Sequence, residues 1–188
     1  MRGLLSIVVK NMWENSWKTK SEDIRVLRGL ARTIRRIAED PIMEERKKLW
    51  KKHNDLETVR PLVLFEPDAR GLRDEIVPKG SLRCEETWAR DIEQKLRIKI
   101  YRYEQIRDDE VIDPVITYGW FINKGDYGVD ISVKRYNDGQ GIALSWSPPL
   151  RNFPENFEQL RFRNFIVNRD KTNAWREHLK NVFGDILE

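Results

Sequence analysis

The stretch SEDIRVLRGLARTIRRIAEDPIMEERKKLWKKHN, residues 21–54, decides the fold class. Ile24, Leu27, Ala31, Ile34 and Ala38 recur at spacings of three and four, which is the period of one helix face. Ser21 is a candidate cap, with Glu22 and Asp23 in the first turn, where carboxylates favour the positive end of the helix. Asp40-Pro41 restarts the pattern, because Asp accepts the orphan amides and Pro suits the first helical position. Ile42, Leu49 and Trp50 form the apolar side of this second helix. Its acids (Glu44, Glu45) precede its bases (Arg46 to Lys52), an order that complements the helix dipole. The chain therefore opens its folded part with two amphipathic helices.

Working outward, RPLVLFEP at 60–67 is a short apolar run between prolines, and its length and Val/Leu/Phe content predict a buried strand. Asp68 caps a brief helix through Leu72 and Ile76, which Pro78-Lys79-Gly80 ends. Residues 85–107 contain neither Gly nor Pro, and Trp88, Ile92, Leu96, Ile100 and Tyr103 recur mostly every fourth position. Leu96–Ile100 alternates like a strand, but the length of the uninterrupted run predicts a long helix. The pattern then changes. Residues 111–117, 128–135 and 141–146 read as the strands of a small β-meander, with turns at Lys124-Gly125-Asp126 and Asn137-Asp138-Gly139. Asn156 to Leu160 reads as a helical turn. A last amphipathic helix runs from Asp170 to Phe183, with Gly184 as its C′ residue. The expectation is an α+β (α/β) fold: a loosely ordered arm at 1–20 and a single domain over 21–188, made of a helical N-terminal half, a short buried strand, a long helix, the meander and a C-terminal helix.

Composition narrows the function classes. Of the 188 residues, 35% are charged and 39% hydrophobic, and the seven Trp, seven Phe and five Tyr supply enough apolar area for a core. Disordered chains lack such aromatics. The net charge of +4 mixes both signs, so nucleic acid is not the expected partner. Arg25, Arg28, Arg32 and Arg35 do form a basic stripe, which reads as the solvated flank of a buried face or as a phosphate-facing surface. The lone Cys84 fits a reducing, cytoplasmic compartment. The apolar run from Gly3 to Val9 is too short to span a bilayer, so no membrane partner is expected.

Reactive groups are few. His53, His178 and Cys84 have no zinc-type spacing, so no metal site is expected and no cofactor is assigned to the chain. Cys84 has Arg83 beside it but no positioned base. The acidic loop Asp108-Asp109-Glu110 with Asp113 offers catalytic candidates in Asp108, Asp109 and Asp113, because acid–base work needs carboxyls in differing environments. The alternative is that these acids are solvated, or pair with Arg102 and Arg107. Tyr118 and Trp120, with Phe121 and Tyr127, are candidates for stacking on a flat ligand or for strand packing. No G-x-G-x-x-G or G-x-S-x-G motif occurs.

Three segments carry a resemblance: ERKKLWKKHNDLETVRPLVL at 45–64, SLRCEETWARDIEQKLRIKIYRYEQIRDDEVIDPV at 81–115, and NVFGDIL at 181–187. Together they resemble the N-terminal region of uroporphyrinogen decarboxylase-like proteins, in the branch related to corrinoid and cobalamin-dependent methyltransferases. The resemblance covers roughly residues 22–187. It implies the opening of a (β/α)₈ barrel, whose reactive groups would gather at the C-terminal ends of its strands. It further implies an N-terminal segment or truncated form, non-catalytic alone, completed by a barrel-bearing partner chain or a homo-oligomer. Arg60-Pro61-Leu62-Val63 resembles the family's R-P-P-V strand. The arginine-bearing loop that follows it in the decarboxylases is replaced by Glu66-Pro67-Asp68-Ala69-Arg70, leaving Arg70 as the nearby cation and a ligand-binding candidate. The alternatives are a free-standing basic binding module for nucleic acid or protein, and a small enzyme using the Asp108–Asp113 loop.

Overall fold

The computed structural model describes residues 17–67, 70–137, 142–152 and 154–188. Most of the expected arm, the Asp68 cap, the Asp138-Gly139 turn and Gly141 lie outside them. The chain is mixed α and β, and its strands are few, short and antiparallel. Residues 21–188, expected as one domain, fall into two compact units. One comprises residues up to Tyr118 together with Asn173–Glu188, and the other is Gly119–Thr172.

The first unit is helical. Helix α1 (Ser21–Ala38) and helix α2 (Pro41–Asn54) form where the apolar periodicity places them. Ser21 is the first helical residue rather than the cap; Lys20 holds the cap position with extended backbone and no capping side chain. Asp40 caps α2 as expected, accepting from the Ile42 amide at 2.9 Å. The buried face of α1 is Val26, Leu27, Ala31, Ile34 and Ile37, with Asp23 at its head. On α2 the buried residues are Met43 and Arg46, while Leu49 and Trp50 are half-buried. Helix α3 (Arg70–Ile76) is followed by a 3₁₀ turn, Lys79–Ser81. Helix α4 (Thr87–Tyr101) packs against α1 and buries Ala89, Ile92, Glu93, Leu96 and Ile98. The Leu96–Ile100 alternation is therefore helical. After Tyr101 the helix widens into one π-helical turn, Arg102–Ile106, closed by Arg107 in the left-handed region at φ 57°.

Helix α5 (Arg169–Phe183) contributes Leu179, Val182 and Phe183 to the same core as Leu27, Ala31, Ile34, Met43, Ile92, Leu96 and Ile112. Gly184 does not take the left-handed conformation of a C′ glycine. Its lack of a side chain is needed for another reason: a Cβ there would lie 2.6 Å from the Lys180 carbonyl oxygen.

Two expected strands are absent from this unit. RPLVLFEP is extended and mostly exposed, without a partner strand. Among the described residues, its backbone link is Asp109 N–H to the Val63 carbonyl at 2.9 Å. Residues 111–117 are likewise irregular, since the Ile112 amide donates to the Met43 sulfur at 3.3 Å and residues 114–116 tie to Glu188 instead.

Among its described residues the second unit holds four strands: β1 (Ile122–Lys124), β2 (Val133–Asn137), β3 (Ile142–Trp146) and β4 (Phe165–Val167). β1 pairs with β4 and β2 with β3, giving two two-stranded antiparallel sheets rather than a meander. β2 begins later than the alternation suggests, and β1 and β4 were not expected. A barrel opening would require parallel strands, and none is found among the described residues. Also among these residues, no helix is long and apolar enough to cross a membrane.

A buried device fixes α1 to α4. The segment Arg83–Glu86 is neither helix nor strand, so its amides need acceptors. Glu93, fully buried, takes Arg83 N–H at 2.9 Å and Cys84 N–H at 2.8 Å. Asp23, also fully buried, takes Glu85 N–H at 2.9 Å and Glu86 N–H at 3.0 Å. Arg97 supplies the charge partner of Glu93 at 2.8 Å. Burial pushes the Glu93 pKa up, but the Cys84 and Arg83 amides and Arg97 outweigh it and hold it below the ordinary value. Glu93→Gln would turn an amide NH₂ toward these donors and leave Arg97 without its charge partner. The expected loss is about 3 kcal/mol, read from the urea midpoint, and an unchanged midpoint would contradict this role.

Candidate functional site

The π-helical turn delivers the acidic loop. Arg107 N–H closes the turn on the Arg102 carbonyl at 2.7 Å, and its left-handed backbone turns the chain so that residues 108–110 run back alongside 60–66. Such turns and strained residues recur at functional sites.

Asp108 is buried. Its Oδ2 accepts from Arg102 Nη2 at 2.6 Å and Nε at 3.0 Å, and from the Phe65 amide at 2.9 Å. Its Oδ1 accepts from the Glu110 amide at 3.2 Å. Asp109 is paired by Arg60 through both oxygens at 2.5 and 2.8 Å, and it also accepts the Val63 amide at 2.9 Å. Its carbonyl takes the Trp50 indole N–H at 2.7 Å. Arg46 donates to the Glu110 carbonyl at 2.8 Å. Asp113 lies apart, half-buried and 3.1 Å from Lys47. The loop thus brings Asp108 and Asp109 together and leaves Asp113 outside. The two it brings together act as acceptors for the extended segment 60–67.

The two neighbouring acids Asp109 and Glu110 titrate in opposite directions. The Arg60 guanidinium, working against burial and helped by the Val63 amide, holds Asp109 down at about 2. Burial pushes Glu110 up, against the pull of Arg102 and Lys99. Glu110 Oε2 is 2.9 Å from Arg102 Nη1, yet no donor is aligned to hydrogen-bond it. The proximity marks an ion pair, and the missing alignment explains why burial prevails.

A cleft of about 880 Å³ opens beside this knot. Arg46, Arg60 and Arg107 line it, and so do Asp40, Glu45, Glu104 and Asp109. Opposite charges nearly cancel, and the strongest are already paired. Tyr103 O–H donates to Asp40 at 2.5 Å, which lowers the Asp40 pKa and raises that of Tyr103. Its lining holds no histidine, cysteine, serine or lysine, the side chains that most often act as base or nucleophile.

The remaining candidates are dispersed. Arg70 opens α3, and its side chain lies outside the described residues. Tyr118 and Trp120 are both exposed, with the Arg169 guanidinium 5.6 Å from the Trp120 ring centre. Cys84 is buried, and burial, followed by the hydrogen bond with Glu93, pushes its thiol up to about 12, so it stays protonated and unreactive. His178 stacks on Trp175 and meets Trp88 edge-on at 4.6 Å. His53 lies against Trp50. No group of acids, histidines and cysteine suited to a metal occurs among the described residues. Arg25, Arg28 and Arg35 of the basic stripe pair with Glu22, Asp185 and Glu39. The groups that sequence reading missed are Asp23 and Glu93. Their signal was an acid sitting in register with an apolar helix face.

In comparisons with known proteins, no family model, no curated protein and no solved structure matches the chain.

The opposed titrations give a pH prediction. Asp109 has a folded pKa below its ordinary 3.8, so its contribution is complete above that value and is lost as pH falls toward about 2. Glu110 has a raised pKa, so its ionisation costs stability as pH rises through it. Asp109→Asn is expected to lower the melting temperature at neutral pH, with the deficit closing in strong acid. Glu110→Gln is expected to raise it at neutral pH and change little near pH 4. Melting curves across pH check both signs.

Proposed function

We propose that this chain is a non-catalytic structural module, the N-terminal segment of a uroporphyrinogen decarboxylase-like or corrinoid methyltransferase-like system, whose reacting groups come from a barrel-bearing partner chain. The observation that carries the reading is the engagement of the acidic loop. Asp108 and Asp109 are committed to Arg102, Arg60 and the amides of residues 63 and 65. A carboxylate held near 2 by a bidentate arginine is a poor general base at neutral pH.

The way the resembling motifs meet supports the family side of the proposal. LWKKHN, RPLVL and IYRYEQIRDD converge on one knot through Trp50, Arg60, Val63, Arg102, Asp108 and Asp109. LRCE is held by the Asp23–Glu93 device. On this reading, the quoted motifs build a scaffold. Buried, protonated Cys84 suits the cytoplasmic setting the proposal assumes. The basic-module alternative draws less support, because most of its stripe is neutralised.

The test is an assay of the purified full chain for uroporphyrinogen decarboxylation and for methyl transfer from methylcobalamin to a thiol. The proposal expects no turnover above that of heat-inactivated chain, and activity only when a barrel-bearing chain is added. Turnover by the chain alone, abolished by Asp113→Asn at its half-buried position, would overturn it.

A further inference from the structure

We propose that one face of the β1–β4 ribbon binds single-stranded nucleic acid, its rings stacking on bases and its cations meeting phosphates; this goes beyond the module reading above and does not depend on it.

The register of the ribbon sets the face. Ile122 stands opposite Val167 and Lys124 opposite Phe165, and directly opposite residues share a face. Backbone bonds carry the ladder one residue further at each end. Asn168 N–H donates to the Phe121 carbonyl, and Gly125 N–H to the Asn164 carbonyl, both at 2.8 Å. Trp120 and Arg169 therefore come opposite each other on the same face, and the Arg169 guanidinium lies 5.6 Å from the Trp120 ring centre. At the other end the Arg163 guanidinium lies 4.7 Å from the Tyr127 ring centre and 5.9 Å from that of Phe165. Cations and flat rings thus interleave along the face, and the rings stay open: Trp120, Tyr127 and Phe165 are 57%, 51% and 58% exposed.

The cations of this face are not committed to acids. In the helical unit Arg25, Arg28, Arg35, Arg60, Arg97 and Arg102 all pair with carboxylates. Among the described residues Lys124, Arg163 and Arg169 pair with none. Arg163 Nε donates to the Gly125 carbonyl at 2.7 Å, which holds its guanidinium beside the rings. Of the acids nearest in sequence, Asp126 accepts the Gly128 amide at 2.8 Å, and Asp170 lies in the first turn of α5. The chain mixes both signs of charge along its sequence, and the structure leaves these cations unpaired on an aromatic face.

The ligand that answers both features is a polyanion carrying flat rings. Alternate residues of a strand lie about 7 Å apart, so successive positions of the face can meet successive nucleotides of an extended strand. Bases in a duplex are stacked on one another, so open rings select single strands. An acidic peptide offers the charge without a regular series of flat groups, and a bilayer favours an apolar face less interrupted by cations.

Fluorescence anisotropy of the full chain with labelled oligothymidylate and oligouridylate tests this, and comparing the two tells DNA from RNA preference. Wild type is expected to bind with an affinity that falls as salt rises and with quenching of tryptophan emission. Lys124→Glu with Arg169→Glu should weaken binding about tenfold or more and flatten the salt dependence. Trp120→Ala should weaken it about fivefold or more and remove part of the quenching. All three side chains are exposed, and far-UV circular dichroism confirms that the variants fold. Arg32→Glu with Arg36→Glu, an equal charge change at exposed positions of α1, should leave the affinity within about twofold of wild type once salt screens the distant charge. Absence of binding at low salt would refute the proposal, as would an affinity that Trp120→Ala leaves unchanged or that the α1 pair lowers as much as the ribbon pair. Duplex DNA, polyglutamate or phosphatidylserine vesicles binding as tightly as the single strands would assign the face to that partner instead.

Discussion

Two extended segments of the helical unit, 60–67 and 82–86, run without a partner strand, and their backbone amides must still be satisfied. Four carboxylates meet this constraint. Glu93 and Asp23 take the consecutive amides of residues 83 to 86, and Asp109 and Asp108 take those of residues 63 and 65. An unsatisfied buried amide costs about 1–3 kcal/mol, and an unpaired buried carboxylate costs more. Each group therefore answers the other's cost, with Arg97, Arg102 and Arg60 balancing the charge of Glu93, Asp108 and Asp109. Asp23 joins α1 to the lead-in of α4, and the acidic loop joins the end of the π-turn to the chain that leaves α2.

This constraint also decides the chemistry. A carboxylate that serves as acceptor for amides and arginine is stabilised as an anion, and Asp109 near 2 is the measure of it. Glu110 lies next to it in sequence and takes the opposite course, because the half-buried side chain holds its Oε2 out of water without an aligned donor. The left-handed Arg107 and the π-turn, features often associated with catalysis, serve here to lay the acidic loop along residues 63–65. Two of the acids that stand out in the sequence for reactivity, Asp108 and Asp109, hold the backbone of residues 63 and 65.

Much of the helical unit was legible from local pattern. Residues 21–54 announce two helices through their period and through Asp40-Pro41, and the long helix follows from a run without Gly or Pro. What failed was non-local. RPLVLFEP has the composition of a buried strand, but its acceptors come from side chains more than forty residues away, which no periodicity reveals. The three-residue strands β1 and β4 are too short to show a pattern, and they pair across a long separation. Arg60, Asp108 and Asp109 were each visible as charged residues; their mutual assignment was not, beyond the general option that the acids pair with nearby arginines. Asp23 was read as a first-turn acid on α1, although it serves the amides before α4.

Amide hydrogen exchange tests the central claim most directly. Carboxylate-held amides should exchange only when the scaffold opens. The N–H groups of Arg83, Cys84, Glu85 and Glu86 are then expected to be protected as strongly as those in the middle of α4, with that of Val63 losing protection in Asp109→Asn and that of Phe65 in Asp108→Asn. Exchange of residues 83–86 as fast as an open loop, with α4 still protected, would contradict the account.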